Sequence, residues 1–297
     1  MNRSYMTGSR ILIGFTLLLQ AACSPAPVAQ DRFTEPDRFY DLLEANVRNS
    51  GDFEIIVDID HARLAAQADS HMPPAHVLIW SDPRLDAAIL ADNPLAAIDL
   101  PLRALAYEDP ETGKAAVIAN RYDFLAGRHD LPDNPALRDR YATAIAKAMQ
   151  GIGNDTIRQF ASDEMPEPGL VTLKSPHDFA TTEGLIMRVI ESQPDTVYFA
   201  TVDFAERALA QDVQLSPLRL ILFGGPGPGG QAMREAPTLG LDAFCQKLLV
   251  WEDANGQVRV TFNDLLTLAE RQQAAINLPL RVINRRVKKT FSEALRE

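Results

Sequence analysis

The sequence predicts an α+β fold of two tandem units, each an antiparallel sheet with helices packed on it, related by a pseudo-twofold axis. Two observations carry this prediction. Residues 35–129 and 175–272 repeat one pattern, at an offset of 143 from residue 61 onward that slips by one only around Tyr107. A duplicated pattern of this length implies two units that pack against each other. Each copy also contains two strand-like runs joined by a short turn, and adjacent hairpin strands argue for an antiparallel sheet.

The elements follow in the same order in both copies. A helix opens each, with Phe39, Leu42, Leu43 and Val47 on one face of the first and Phe179, Ile186 and Ile190 on one face of the second. A strand comes next, alternating Ile55, Val57 and Ile59 in the first copy and marked by Val197 and Phe199 in the second. Short Ala-rich helices are expected over 62–68 and 205–210, then apolar strands over 76–80 and 218–223. A segment holding Pro94 or Pro237 leads into the hairpin. Its turns are Asp109-Pro110-Glu111-Thr112-Gly113 and Asp253-Ala254-Asn255-Gly256. Two helices close each unit. Residues 151–169, with Gly151, Gly153, Pro166 and Pro168, form the connector.

The boundaries expected are a signal peptide over 1–22, a tether over 23–34, units over 35–150 and 170–297, and the 151–169 linker. Arg3 and Arg10 precede the nine-residue apolar run Ile11–Leu19, too short for a spanning helix of about 20 residues. Leu19-Gln20-Ala21-Ala22-Cys23 resembles the lipobox of bacterial lipoproteins, in which the Cys becomes the lipidated first residue. Gln20 departs from that pattern by taking the usual Leu position. Lipidation at Cys23 is preferred to cleavage releasing a soluble periplasmic protein, because it alone explains a Cys at the end of the run. Ser24 after the Cys implies sorting to the outer membrane, facing the periplasm. Cys245 then stands alone in AFCQKLLVW, as a buried and inert thiol.

Composition removes several functions. The chain carries 29 Lys+Arg against 40 Asp+Glu, and a net charge of −11 disfavours nucleic acid. The basic cluster Arg281, Arg285, Arg286, Lys288 and Lys289 is interleaved with Leu280, Ile283, Val287 and Phe291 at helical spacing, which reads as the solvated side of a docking helix. The chain lacks a GxSxG elbow, a CxxC pair and a GKS or GKT loop. Trp80 and Trp251 end apolar strands and are expected in the cores.

The runs IDH (59–61), IDLPL (98–102) and RH (128–129), with SPHDF (175–179), APTLGLDA (236–243), LVWED (249–253) and FND (262–264), resemble the family catalogued as domain of unknown function 302. The resemblance covers nearly all of the chain after residue 34, once per repeat. It implies a TBP-like α+β unit that tends to dimerise, with the tandem chain as a dimer in one polypeptide. It implies no established activity.

Within these motifs His61 and His129 belong to the first copy and His177 to the second, while Asp37, Phe204 and Gln272 replace their counterparts. One hypothesis is a composite site from the three histidines, a common ligand and base type. No HxH or HExxH spacing supports a metal, so each His is expected to satisfy its own module, and no metal or cofactor is predicted. Asp60, matched by Asp203, and the paired Asn120 and Asn263 complete the candidate ligand-binding set. Gly225-Pro226-Gly227-Pro228-Gly229-Gly230 matches GxGxxG. However, its two prolines remove N–H donors and its counterpart over 81–87 has no glycine. Gly225, Gly227, Gly229 and Gly230 therefore read as a flexible loop, with a small-anion contact at the following helix as the residual role.

The function expected is a non-catalytic module binding a small ligand or an envelope partner in the groove between its repeats. The alternatives are an envelope enzyme or metal protein with the composite histidine site, and a purely structural protein.

Overall fold

The computed structural model describes Met1, residues 31–165 and residues 167–296. The signal-like segment and Cys23 lie outside the described residues. The first repeat runs α1 (Thr34–Asn49), β1 (Glu54–Asp60), α2 (His61–Gln67), β2 (Ala75–Ser81), α3 (Pro83–Asp92), a 3-10 turn Pro94–Ile98, β3 (Leu102–Glu108), β4 (Ala115–Ala119), α4 (Tyr122–Arg128) and α5 (Pro135–Ala148). The connector contributes a two-residue strand, β5 (Ile157–Arg158). The second repeat runs β6 (Leu170–Lys174), α6 (Phe179–Ser192), β7 (Val197–Asp203), α7 (Phe204–Leu209), β8 (Leu218–Gly224), α8 (Pro226–Met233), a 3-10 turn Pro237–Gly240, β9 (Gln246–Glu252), β10 (Val258–Asn263), α9 (Leu265–Arg271) and α10 (Leu278–Ala294).

Each repeat makes one five-stranded sheet, ordered β1-β2-β3-β4-β5 and β6-β10-β9-β8-β7. The hairpins β3–β4 and β9–β10 are antiparallel, as the turns require. A register shift falls between Ile55 and Val57 in β1 and between Tyr198 and Ala200 in β7, the same place in both copies. The outer strands differ: β5 comes from the connector and pairs parallel to β4, whereas β6 pairs antiparallel to β10. The connector is thus part of the first sheet and not only a spacer.

Local chemistry fixes the short helices. Asp60 and Asp203 sit at matched N-caps, accepting from the amides of Arg63 at 2.9 Å and Glu206 at 3.0 Å. Asp82 caps α3 in the same way. The glycine run is the main local departure from expectation. Pro226 to Met233 is helical, with proline in the first turn where no N–H is needed. A Cβ on Gly230 would lie 2.5 Å from Ala65 Cβ, and one on Gly229 would lie 3.1 Å from Phe244. These glycines let α8 approach α2 and the Phe244 ring closely, so they do not form a flexible loop.

Arg32–Glu297 is a single compact unit containing both repeats. One core cluster runs through it without a break, joining Leu78, Ile98 and Leu105 of the first repeat with Leu220, Leu239 and Leu249 of the second. A smaller cluster under α10 belongs to the second repeat alone, including Ile186, Phe262 and Phe291. Packing across the boundary is reciprocal: α2 lies on α8, and α7 lies on α3. That exchange is the signature of an isologous, twofold-like interface. Trp80 is fully buried, but Trp251 is only half-buried and donates its indole N–H to Thr261 Oγ1 at 3.0 Å.

Candidate functional site

The seam between the repeats is built from charged side chains that the sheets bury. The 3-10 turn of each repeat ends beside an aspartate, Asp99 or Asp242. The following strand supplies Arg103 or Lys247, the end of β4 or β10 supplies Asn120 or Asn263, and the end of α4 or α9 supplies Arg128 or Arg271. The residue after that helix is His129 or Gln272. All of these except Gln272 are buried.

The contacts cross the seam reciprocally. Arg103 donates from Nε and Nη2 to Asp242 Oδ1 at 3.0 and 2.6 Å. Lys247 Nζ faces Asp99 in return, at 3.9 Å. Arg128 Nη2 donates to Asn263 Oδ1 at 2.7 Å, and Arg271 Nη1 donates to Asn120 Oδ1 at 2.9 Å. Asn120 Nδ2 also donates to Asp242, at 2.9 Å. Within each half, His129 Nε2 lies 2.7 Å from Asp99 Oδ2, and Gln272 Nε2 lies 3.3 Å from Asp242 Oδ2.

The two halves are not equally satisfied. Arg128 places Nη1 on Asp99, Nε on the Pro168 carbonyl at 2.8 Å, and Nη2 on the Gly169 carbonyl at 3.2 Å as well as on Asn263. The corresponding nitrogens of Arg271, Nε and Nη2, make no hydrogen bond, and neither do Lys247 Nζ, which faces its two carboxylates from 3.9 and 4.0 Å, and Gln272 Oε1. Phe124 and Phe160 cover the Arg271 guanidinium, at 3.6 and 4.4 Å from ring centroid to Cζ.

Electrostatics follow from this crowding. Burial alone would raise Asp99, but Arg128, His129 and Lys247 hold its carboxyl well below the usual range. Burial likewise opposes Arg103, Lys247 and Arg271 at Asp242, and the cations win, so that carboxyl is also lowered. Burial, reinforced by Arg103, pushes the Lys247 ammonium down to about 8 against the two carboxylates.

A family model described as "Domain of unknown function DUF302" matches residues 30–154 and again residues 171–296. The chain belongs to the DUF302 family.

This tandem DUF302 chain is similar to the "Fluoride-specific ion channel FluC 1" of Brucella suis, 35% identical over 111 residues, which is 37% of this chain and 43% of that one. It is similar in the same degree to the "Fluoride-specific ion channel FluC 2" of Brucella melitensis, over 40% of that protein. The chain thus spans about two fifths of the length of the curated relatives it matches. Among solved structures, an uncharacterized conserved protein DUF302 from Bacillus stearothermophilus aligns with a TM-score of 0.37 and 14% identity, over 43% of this chain and 95% of that one. Among the described residues no helix is long and apolar enough to cross a membrane.

The structure sorts the residues singled out by sequence. Asn120, Asn263 and His129 lie in the DUF302 seam. His61 reaches the same boundary separately, its Nε2 2.9 Å from the Gly240 carbonyl across the repeats. Burial pushes its imidazole down to about 4, so it is neutral at physiological pH. His61 also shares a small cleft with Gly225 and Gly229. His177 stands two residues before α6, with its backbone amide on Ser175 Oγ, in its own repeat. Among the described residues no hydrogen bond or ligand cluster joins His61, His129 and His177.

Asp60 has a capping role, and it also lines a group with Asp37 and His76 whose ligand atoms lie within 4.8 Å of one another. Arg63 already spans that group, donating to Asp37 at 2.7 Å and to Asp60. The seam's charged members, Asp99, Arg103, Arg128, Asp242, Lys247 and Arg271, were missed by sequence reasoning. The signal was present, because Asp99/Asp242 and Arg128/Arg271 are identical polar pairs at the repeat offset.

Proposed function

We propose that this DUF302 protein is a lipid-anchored, non-catalytic module of the cell envelope that binds a small ligand at the seam between its repeats. The signal-like segment and Cys23 support the anchor and an outer-membrane location facing the periplasm. The observation that carries the binding role is the convergence of polar side chains from both repeats on one buried surface, where one half is saturated and the other keeps open donors. A role confined to holding the repeats together accounts for the saturated half, but not for buried donors without partners, which cost about 1–3 kcal/mol each. The fluoride named in the curated relatives belongs to proteins of which the matched segment is a minor part, and no transport is carried over to this chain.

Two measurements test the reading. Cys23→Ser is expected to move the protein from the membrane pellet to the soluble periplasmic fraction. Amide NMR of the folded chain is expected to show shifts at Asn120, Asp242 and Arg271 with at least one of formate, chloride, glycine and ethanolamine. A Cys23→Ser protein that stays in the pellet overturns the anchor, and seam amides that respond to none of the four overturn the binding role.

A further inference from the structure

We propose that the second repeat carries a binding site of its own, separate from the seam, for a small neutral molecule with one amide or hydroxyl group on a short apolar body. The site is a cavity of about 40 Å3 between the end of β8, the start of β9, and helices α8 and α10. Neighbouring residues of a strand face opposite sides of the sheet. Lys247 turns to the seam, so Gln246 turns with Leu248 and Val250 to the smaller core cluster under α10. Gln246 carries the assignment. It is 8% exposed and lines the cavity, and among the described residues its side-chain amide has no hydrogen-bond partner. A buried amide without a partner is costly to keep, and an occupant that bonds to it removes that cost. The walls around it are apolar, with Phe223, Phe244, Val287 and Phe291 among them.

The first repeat fills the same place. Strand register fixes the correspondence: Phe223 pairs with Tyr198 and Gln246, as Trp80 pairs with Ile55 and Leu102. Phe53 precedes β1 as Thr196 precedes β7. Helices α5 and α10 start from matched caps, Asn134 and Asn277, so Arg140 corresponds to Ile283. In the first repeat the Trp80 indole is fully buried, 6.4 Å from the Phe53 ring, and Arg140 bonds to Asp82 at 2.8 Å. The second repeat sets smaller residues there, Phe223, Thr196, Ile283 and Gly225. Helix α10 returns part of that volume, with Val287 and Phe291 where α5 has Ala144 and Ala148, and the cavity persists. Two of the exchanges, Leu102 to Gln246 and Phe53 to Thr196, also put polar groups where the first repeat has none.

Charge and size set the ligand class. The charged side chains at the cavity are Asp195 and Arg286, which stand at its exposed rim and pair with each other. Arg286 Nη2 donates to Asp195 Oδ1 and to Gln193 Oε1, both at 2.7 Å, so neither charge calls for a counter-ion. An ionised ligand would lie against aromatic walls without an opposite charge to meet it, which selects a neutral one. The Gln246 amide both donates and accepts, and an amide or hydroxyl complements it. One water needs roughly 10–15 Å3, so a cavity of about 40 Å3 takes a molecule of on the order of four heavy atoms.

The test is an NMR titration of the purified full chain with acetamide and with propan-1-ol, using sodium acetate as the charged isostere of acetamide. Saturable shifts of the Gln246 side-chain amide and of the Thr196 and Phe244 backbone amides are expected with at least one neutral probe, and none with acetate. Gln246→Leu, which copies the first repeat, is expected to weaken binding roughly tenfold or more, read at Thr196 and Phe244. Thr196→Phe narrows the cavity from a half-buried position and is expected to weaken binding to a similar degree. It covers the case in which Gln246→Leu does not fold. Shifts that grow linearly with both neutral probes, an equal response to acetate, or unchanged affinity in either folded variant overturn the proposal.

Discussion

Asp242 is the residue on which the seam turns. It accepts from Arg103 and Asn120 of the other repeat and from Arg271 and Gln272 of its own. Removing it strands buried cations, so Asp242→Ala is expected to cost about 3–5 kcal/mol in urea unfolding. A loss under about 1 kcal/mol, typical of exposed pairs, would show that the cations are solvated. Asp86 behaves in the opposite sense. Burial pushes its carboxyl from 3.8 up to about 7, against the bond from Ser81 and the charge of Arg207. Between those values the native state keeps a proton that the unfolded chain has lost. Stability therefore falls as pH rises from about 4 to about 7, by up to about 1.4 kcal/mol per unit. His61 opposes this between its native value of about 4 and its ordinary 6.5, because there the unfolded chain binds the extra proton. The two separate by substitution: unfolding free energies of Asp86→Asn, relative to wild type, are expected to improve steadily over that window. A difference independent of pH would mean that Asp86 is ionised in the native protein.

At the scale of elements, the glycines of α8 set how closely the repeats meet. Gly230→Ala drives a methyl against Ala65 and Ser70, and it is expected to cost about 1–3 kcal/mol by overpacking. Gly184 in α6 has open space around its Cβ position, so Gly184→Ala is expected to gain up to about 1 kcal/mol from helix propensity alone. Thermal unfolding of the two variants side by side checks both signs. This pair also shows what was legible. Helix and strand periodicity, turn chemistry and the repeat register are local and were readable from the chain. The helical state of Pro226–Met233 was not, because a run of four glycines and two prolines reads as a flexible loop until α2 is known to press on it. The charged seam was hidden for a related reason. Asp99, Arg103 and Lys247 look like ordinary solvated residues until two sheets close over them. Of the three motif histidines only His129 lies in the seam, whose frame is the pairs shared by both copies, Asp99/Asp242, Asn120/Asn263 and Arg128/Arg271.

For the whole molecule, the reciprocal pattern makes a prediction about its parts. The first repeat carries both members of the exchanged pair, Asp99 and Arg103, with Asn120 and Arg128 beside them. Expressed alone as residues 32–160, it is expected to form a homodimer in which Asp99 meets Arg103 of the second copy. Analytical ultracentrifugation reads this, and a well-folded monomer at all concentrations would show that the seam contributes little to association. The second repeat, with Lys247 in place of the arginine and Gln272 in place of the histidine, is expected to pair more weakly.

The covalent connector between the repeats has a consequence beyond joining them. In a homodimer every substitution is written twice, so a seam residue cannot loosen on one side without loosening on both. A tandem chain escapes that rule. One half can stay saturated and carry the mechanical work of association, leaving the other free to keep buried donors open. The asymmetry between Arg128 and Arg271 arises because one connector serves two halves and lends its carbonyls to Arg128 alone, a difference that a symmetric pair of identical chains does not have.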